Sequence, residues 1–154
     1  MTDDLTPAGR ALVAAGIDHD VRDVTGVTSV EEAAERQGIA TDHLIRTIVL
    51  RRGEDDYLFA LVPGGRNIAW PKLRAHLGVS RISLPDADEA RVATGYERGA
   101  ITPFGSRVAW PVVADATVPG MGTVAMGSGR RGTSIQLDAD AMLDALDADI
   151  ADLT

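Results

Sequence analysis

Apolar residues recur at helical spacing in five short windows and alternate with polar residues in several others. In the first window Ala8, Ala11, Leu12 and Ala15 share one face. Thr6 suits the N-cap, Pro7 the first helical position and Gly16 the stop, which predicts a helix over 7–15. Ser29-Val30-Glu31-Glu32 has the form of a capping box and opens a second helix over 30–37, ended by Gly38. Further helices are predicted over 71–77, stopped by Gly78, and over 87–94, capped by Asp86 and stopped by Gly95. A last helix over 139–146 is capped by Asp138, with Met142, Leu143 and Leu146 inward, and begins an acidic helical segment spanning 139–154.

The strand patterns interleave with these. In 45–51, Ile45, Thr47 and Val49 fall on one face and Arg46, Ile48 and Leu50 on the other. Residues 57–62 are mostly apolar and read as a buried strand. The polar turn Arg52-Gly53-Glu54-Asp55-Asp56 joins the two as an antiparallel hairpin. Short strands are predicted over 19–24 and 80–84. Another covers 107–114, where Pro111 marks an edge or a bulge. Residues 123–126 and 133–137 flank Gly127-Ser128-Gly129-Arg130-Arg131-Gly132 and form a second hairpin. No repeat or linker interrupts the pattern. The expectation is one domain over 1–154 of α+β class: a mixed, largely antiparallel sheet or barrel with helices packed outside.

Composition adds exclusions. A chain of 154 residues with 45% hydrophobic and 25% charged residues is ordinary for one globular domain. It contains no cysteine, which excludes disulfides, thiolate metal sites and a cysteine nucleophile. No apolar run approaches ~20 residues, so no membrane partner is expected. Met1-Thr2-Asp3-Asp4 lacks the basic and apolar regions of a signal peptide, and the expected location is cytoplasmic. The net charge is −8, and residues 138–154 carry six aspartates and no base. The rest is close to neutral, so no DNA-coating role is expected, while a small local basic site stays open. Of the 15 bases only Lys72 is lysine; arginine grips phosphate or carboxylate in two-pronged fashion but is a poor proton shuttle.

The glycine-rich segments are where chemistry could reside. Gly95, Gly99 and Gly105, with Pro103, fall within eleven residues. Such a stretch is either a structured turn or a rigid loop whose amides and carbonyls form a binding surface. It is neither a P-loop nor a dinucleotide fingerprint. His19, His43 and His76 have no partner at metal-ligand spacing, so no metal is assigned, and no organic cofactor is called for. The hydroxyls of Thr102 and Ser128 sit in glycine-rich loops, where bonding to local backbone is the commoner use. Arg130-Arg131 is either a contact for RNA phosphates or a solvated hairpin tip. Trp70 and Trp110, each before a proline, read as packing residues.

Thr94-Gly95-Tyr96, followed by Gly99-Ala100-Ile101-Thr102-Pro103, resembles the glycine–proline loop of the YbaK/EbsC family of aminoacyl-tRNA editing domains. The family comprises free-standing deacylases and the editing insertion of bacterial prolyl-tRNA synthetases. Leu44-Ile45-Arg46-Thr47-Ile48-Val49-Leu50 is similar to its first core strand, Leu61-Val62-Pro63-Gly64 to the next strand and exit turn, and the 127–137 segment to its late hairpin. The resemblance spans about residues 5–147. It implies hydrolysis of mischarged aminoacyl-tRNA in trans, with the acceptor end of the tRNA as partner and a synthetase as a further one. It also implies a catalytic site of Arg46 with Gly99, Ala100, Ile101, Thr102 and Pro103, and substrate-binding roles for Gly95, Gly105, Ser128 and Gly129. One position departs: the family strand carries lysine where this chain has Arg46. The guanidinium keeps the charge but is bulkier and does not deprotonate. A non-catalytic module binding a tRNA end or a small ligand is therefore the alternative.

Overall fold

The computed structural model describes residues 6–154; the Met1-Thr2-Asp3-Asp4 segment lies outside them. Helix α1 (Pro7–Ala14) begins as its signals predict, with the Thr6 hydroxyl accepting from the Gly9 amide at 3.0 Å. Strand β1 (Asp20–Asp23) leads to α2 (Val30–Arg36), where the Ser29 hydroxyl accepts from the Glu32 amide. The return arm of the capping box is shifted by one residue: Glu32 accepts from the Thr28 amide at 3.1 Å. A 3-10 turn over Thr41–His43, absent from the sequence reading, delivers the chain into β2 (Ile45–Gly53).

β2 and β3 (Asp56–Pro63) form the expected antiparallel hairpin. Its apolar alternation feeds two cores, one on each face of the sheet. Ile45, Val49, Phe59 and Leu61 enter the main core, while Leu50, Leu58, Ala60 and Val62 enter a second core with Leu73 and Leu153. Burial on both faces explains why β3 is apolar almost throughout. Helices α3 (Trp70–Leu77) and α4 (Ala87–Thr94) both end on glycines in the left-handed region, Gly78 and Gly95. β4 (Val112–Asp115) runs parallel to β3, and with β7 (Asp149–Ala151) the four-stranded sheet has the order β2-β3-β4-β7. A second sheet, β1-β6-β5, is antiparallel and is built on the hairpin of β5 (Thr123–Gly127) and β6 (Thr133–Asp138). Val124, Met126, Ile135 and Leu137 of that hairpin close the main core. The α+β class and the mixed sheet agree with the expectation.

Four expectations need correction. Residues 80–84 are not a strand; only Ser83 meets β2, through a two-bond bridge with Arg51 (2.9 and 3.0 Å), and Pro85 then turns the chain into α4. The strand placed over 107–114 begins only at Val112, because Pro111 has no N–H to give. Its carbonyl instead accepts from the Phe59 amide, at the start of a strand between β3 and β7, so the proline marks neither an edge nor a bulge. The acidic helix over 139–154 stops early: α5 spans Ala139–Ala145, Asp147 has a φ of 49°, and Asp149–Ala151 form β7, parallel to β4. The strand placed over 19–24 is likewise shorter, at four exposed residues. Among the described residues no helix is long and apolar enough to cross a membrane.

Asp115, at the end of β4, fastens this C-terminal return. It is 1% exposed and accepts from the Leu153 amide at 2.8 Å, the Thr117 hydroxyl at 2.5 Å and the Thr117 amide at 3.2 Å. Burial alone would raise its carboxyl, but these bonds together hold it below its ordinary value of 3.8. The folded pKa is thus lower than the unfolded one. The stabilisation is complete above the ordinary carboxylate range and is lost as pH falls through the folded value. Asp115→Ala strips charge-assisted bonds and strands the buried Leu153 amide, so it should cost about 2–3 kcal/mol at neutral pH in urea denaturation. The gap to the natural protein should narrow in acid.

Candidate functional site

The outer edge of β2 lines the cleft that carries the sequence-predicted loop. Leu44 forms a bridge to Ala125 of β5, and Arg51 one to Ser83. Between these pins the strand makes no further backbone pairing on that side among the described residues. Both backbone groups of Arg51 bond outward to Ser83, whereas the Leu44 carbonyl bonds inward to the Gly64 amide. In an antiparallel pair this orientation alternates, so Thr47 and Val49 also turn their amides and carbonyls outward.

The cleft at this edge has a volume of about 570 Å³, within the range of small-molecule sites. Ile45, Arg46, Thr47 and Val49 form one side, Leu84, Pro85, Ala87 and Ala90 another, and Arg98, Gly99 and Ile101 with Gly127 the third. Among the described residues two arginines line it and no acidic residue does. Three signals shape the loop side. Gly99 has a φ of 90°, a conformation suited to glycine. The buried Tyr96 hydroxyl donates to the Phe104 carbonyl at 2.7 Å, tying the loop across its base. The Gly129 amide donates to the Ala100 carbonyl at 2.9 Å, fastening the loop to the late hairpin. The Gly99 and Ile101 amides find no acceptor among the described residues.

The structure brings Arg46, Gly99 and Ile101 to one cleft, though more than 50 residues separate the strand from the loop (99 − 46 = 53). The other named residues stand behind it or apart from it. Ala100, Thr102 and Pro103 are buried, and the Thr102 hydroxyl points to the Met126 sulfur at 3.7 Å. Gly95 is the left-handed C-cap of α4. Gly105 and Gly129 pack so closely against Tyr96 and Pro7 that a Cβ would come within 3 Å of each cluster. The Ser128 hydroxyl lies 2.5 Å from that of Thr133 and 3.0 Å from the Arg130 carbonyl, the local backbone use its loop suggests. Arg46 is half-buried. Its terminal nitrogen donates to the Arg66 carbonyl, and its Nε is shielded with no partner. Arg131 meets Glu97 at 3.8 Å, and the Trp110 indole donates to the Ala93 carbonyl at 2.9 Å as a packing residue. No group of three or more metal-ligating side chains forms among the described residues.

Sequence reasoning missed Thr47, Leu84, Pro85, Arg98 and Gly127 as cleft residues. The available signal was Gly127 itself. It has an ordinary φ, so its lack of a side chain is a demand of space: a Cβ there would sit 2.5 Å from the Ile101 carbonyl. Thr47 was read only as a strand residue, yet its buried hydroxyl has no partner and the residue lines the cleft.

A compact mixed α+β domain that sets a glycine–proline loop against an open strand edge defines the class to which this chain is similar. The profile of the aminoacyl-tRNA editing domain matches residues 24–145, and the chain belongs to that family. It is 25% identical over 126 residues to EbsC of Enterococcus faecalis, described as a candidate Cys-tRNA(Pro)/Cys-tRNA(Cys) deacylase, covering 82% of this chain and 77% of that one. It is 30% identical over 122 residues to the proline–tRNA ligase of Lactobacillus gasseri, covering 77% of this chain but only 21% of the ligase. A crystal structure described as a candidate trans-editing enzyme for prolyl-tRNA synthetase superposes with a TM-score of 0.87 at 24% identity, covering 97% of this chain and 98% of that chain. That likeness establishes the shared fold.

Gly127→Ala should drive a methyl into the Ile101 carbonyl and lower stability by about 1–3 kcal/mol, as overpacking does. Gly53→Ala has no atom within 4 Å of the added carbon. It should stay within about 0.5 kcal/mol of the natural protein in the same denaturation assay.

Proposed function

We propose that the chain hydrolyses the ester bond of mischarged aminoacyl-tRNA in trans, as a cytoplasmic step of translation quality control. The observation that carries this reading is a cleft lined, among the described residues, by Arg46, Arg98, Gly99 and Ile101 and by no acid, where the Gly99 and Ile101 amides have no acceptor among those residues. An aminoacyl ester is already activated. The protein needs to hold the terminal adenosine, orient a water and stabilise the developing oxyanion. In the proposed step the water oxygen bonds to the ester carbonyl carbon. Negative charge gathers on the carbonyl oxygen, where the loop amides can receive it. Collapse breaks the bond to the ribose oxygen, which takes a proton, and the products are the free amino acid and uncharged tRNA. A neighbouring ribose hydroxyl of the substrate relays that proton, since neither arginine can. Leu84, Pro85 and Ile101 give the cleft an apolar wall, so selection between amino acids rests on size. A synthetase remains a proposed partner, because the ligase relatives carry their matching segment within a longer chain.

A second reading has its own observation. One terminal nitrogen of the Arg46 guanidinium is engaged by the Arg66 carbonyl, and its Nε is shielded without a partner. A site in which that residue only buttresses the wall would bind a tRNA end without cleaving it. Deacylation of a panel of charged and mischarged tRNAs separates the two. Turnover of at least one mischarged species is expected, and none would favour the binding module. Arg46→Ala should lower turnover roughly 10- to 150-fold if the arginine holds a substrate oxygen, the worth of one charge-assisted hydrogen bond. Arg46→Lys should keep or raise it. Equal rates for Arg46→Ala and the natural protein would remove the arginine from the mechanism.

A further inference from the structure

A second depression, of about 540 Å³, opens beyond the Arg51–Ser83 bridge. It is lined by Arg51, Arg52, Arg74 and Arg81 with the hydroxyl-bearing Ser80 and Ser83, and by no acidic residue among those described. In a chain of net charge −8 this gathers four of 15 bases into one groove. They come from three places in the fold: the end of β2, helix α3, and the segment between α3 and α4.

These arginines are only partly neutralised. Arg51 meets Glu89 at 3.5 Å and donates to the Gly53 carbonyl at 3.0 Å, and Arg52 meets Asp56 at 3.2 Å. Each guanidinium has five N–H donors, so both retain capacity. The Nε of Arg52 is buried without a partner. Among the described residues no carboxylate lies within 4.0 Å of Arg74 or Arg81. The contrast on α3 is informative. Lys72 is bound to Asp152 at 2.8 Å and His76 to Asp149 at 2.6 Å, so the acidic C-terminal segment neutralises that side of the helix. Arg74 alone of the three faces the groove.

We propose that this groove holds the sugar–phosphate backbone of the RNA strand whose 3′ end occupies the β2-edge cleft. The inference rests on the editing function proposed above. Its own ground is the shared wall: residues 80–83 line the groove and Leu84, Pro85 and Ala87 line the cleft, with only the Arg51–Ser83 bridge between. From Thr47 to Arg51 is four residues of strand, about 13 Å. A stacked strand carries a phosphate about every 3.4 Å of rise, so roughly four nucleotides cover that interval. The groove is open and its guanidinium groups come from separate elements, which suits an extended anion better than a single caged ion.

The test uses the double variant Arg74→Ala/Arg81→Ala, whose residues have no ion-pair partner to strand, with circular dichroism and thermal melting to verify the fold. Binding of uncharged tRNA is followed by fluorescence anisotropy over a salt series. The slope of log K against log salt should fall by about 1.4–1.8 in magnitude, the share of two phosphate contacts. The KM for a mischarged tRNA should rise about tenfold or more at nearly constant kcat. Hydrolysis of the same amino acid esterified to adenosine alone should change less than twofold. Arg74→Lys/Arg81→Lys should restore the slope. Coincident salt slopes for the natural protein and the alanine variant overturn the proposal, as does an equal loss on the adenosine ester. Should the natural protein deacylate no tRNA, the editing function fails, while the salt slope still decides the groove by itself.

Discussion

Between Leu44 and Arg51 the outer edge of β2 is held at both ends and left open in the middle, and the rest of the site depends on that arrangement. An open strand edge is a hazard, because its unpaired amides and carbonyls invite another strand. Here the bridge to Ala125 ties one end to the second sheet and the bridge to Ser83 ties the other to the approach of α4. Both faces of the strand are also anchored in separate cores. The edge is therefore rigid as well as open. A cleft at such a place can offer fixed backbone groups to a ligand without reorganisation, the property that electrostatic stabilisation of a reacting group needs.

The loop opposite is held by the same economy of small residues. Gly127 ends β5 at the point where the chain passes the Ile101 carbonyl, and only the absence of a Cβ allows that approach. Tyr96, whose hydroxyl burial raises, reaches from the start of the loop to its far end at Phe104. Ala100, Thr102 and Pro103 are buried supports, and Gly99 and Ile101 are the cleft face. A motif of consecutive residues thus divides into an inner side and an outer side, and spacing along the chain does not say which is which.

That division explains how much could be read from the sequence. All five helices were legible because caps and stops act within a few residues: Thr6, Ser29, Asp86 and Asp138 each accept from an amide three positions on, and α3, which has no side-chain cap, stops at Gly78. Both hairpins were legible for the same local reason. β7 was not, since three residues ending an acidic stretch have no periodicity, and their pairing with β4 is a long-range one, beside the bond from the Leu153 amide to Asp115. The 80–84 segment was mistaken for a strand because its apolar residues line cleft walls instead of pairing. In the site, Arg46 and the loop could be joined only through family resemblance. Thr47 and Gly127 needed the coordinates, because their significance lies in a missing hydrogen bond and a missing side chain.

The charge pattern acquires its meaning by the same route. As a sum, −8 argues against a polyanionic partner. Folded, much of the excess acid lies on the C-terminal return, where Asp149 and Asp152 meet His76 and Lys72 on one side of α3. The other side keeps Arg74, and the groove there gathers four arginines and two serine hydroxyls. Net charge governs approach from a distance and is screened within about 10 Å at ordinary ionic strength. Contacts at hydrogen-bond range answer to the local groups instead. An acidic domain can therefore keep a basic track beside its cleft, and its surroundings would oppose anions that do not fit that track. Arginine is suited to such a track because it stays charged and offers forked donors, the same features that make Arg46 a poor carrier of protons. In the function proposed above, the arginines share the holding with the loop amides, while proton movement is left to the water and the substrate's own hydroxyls.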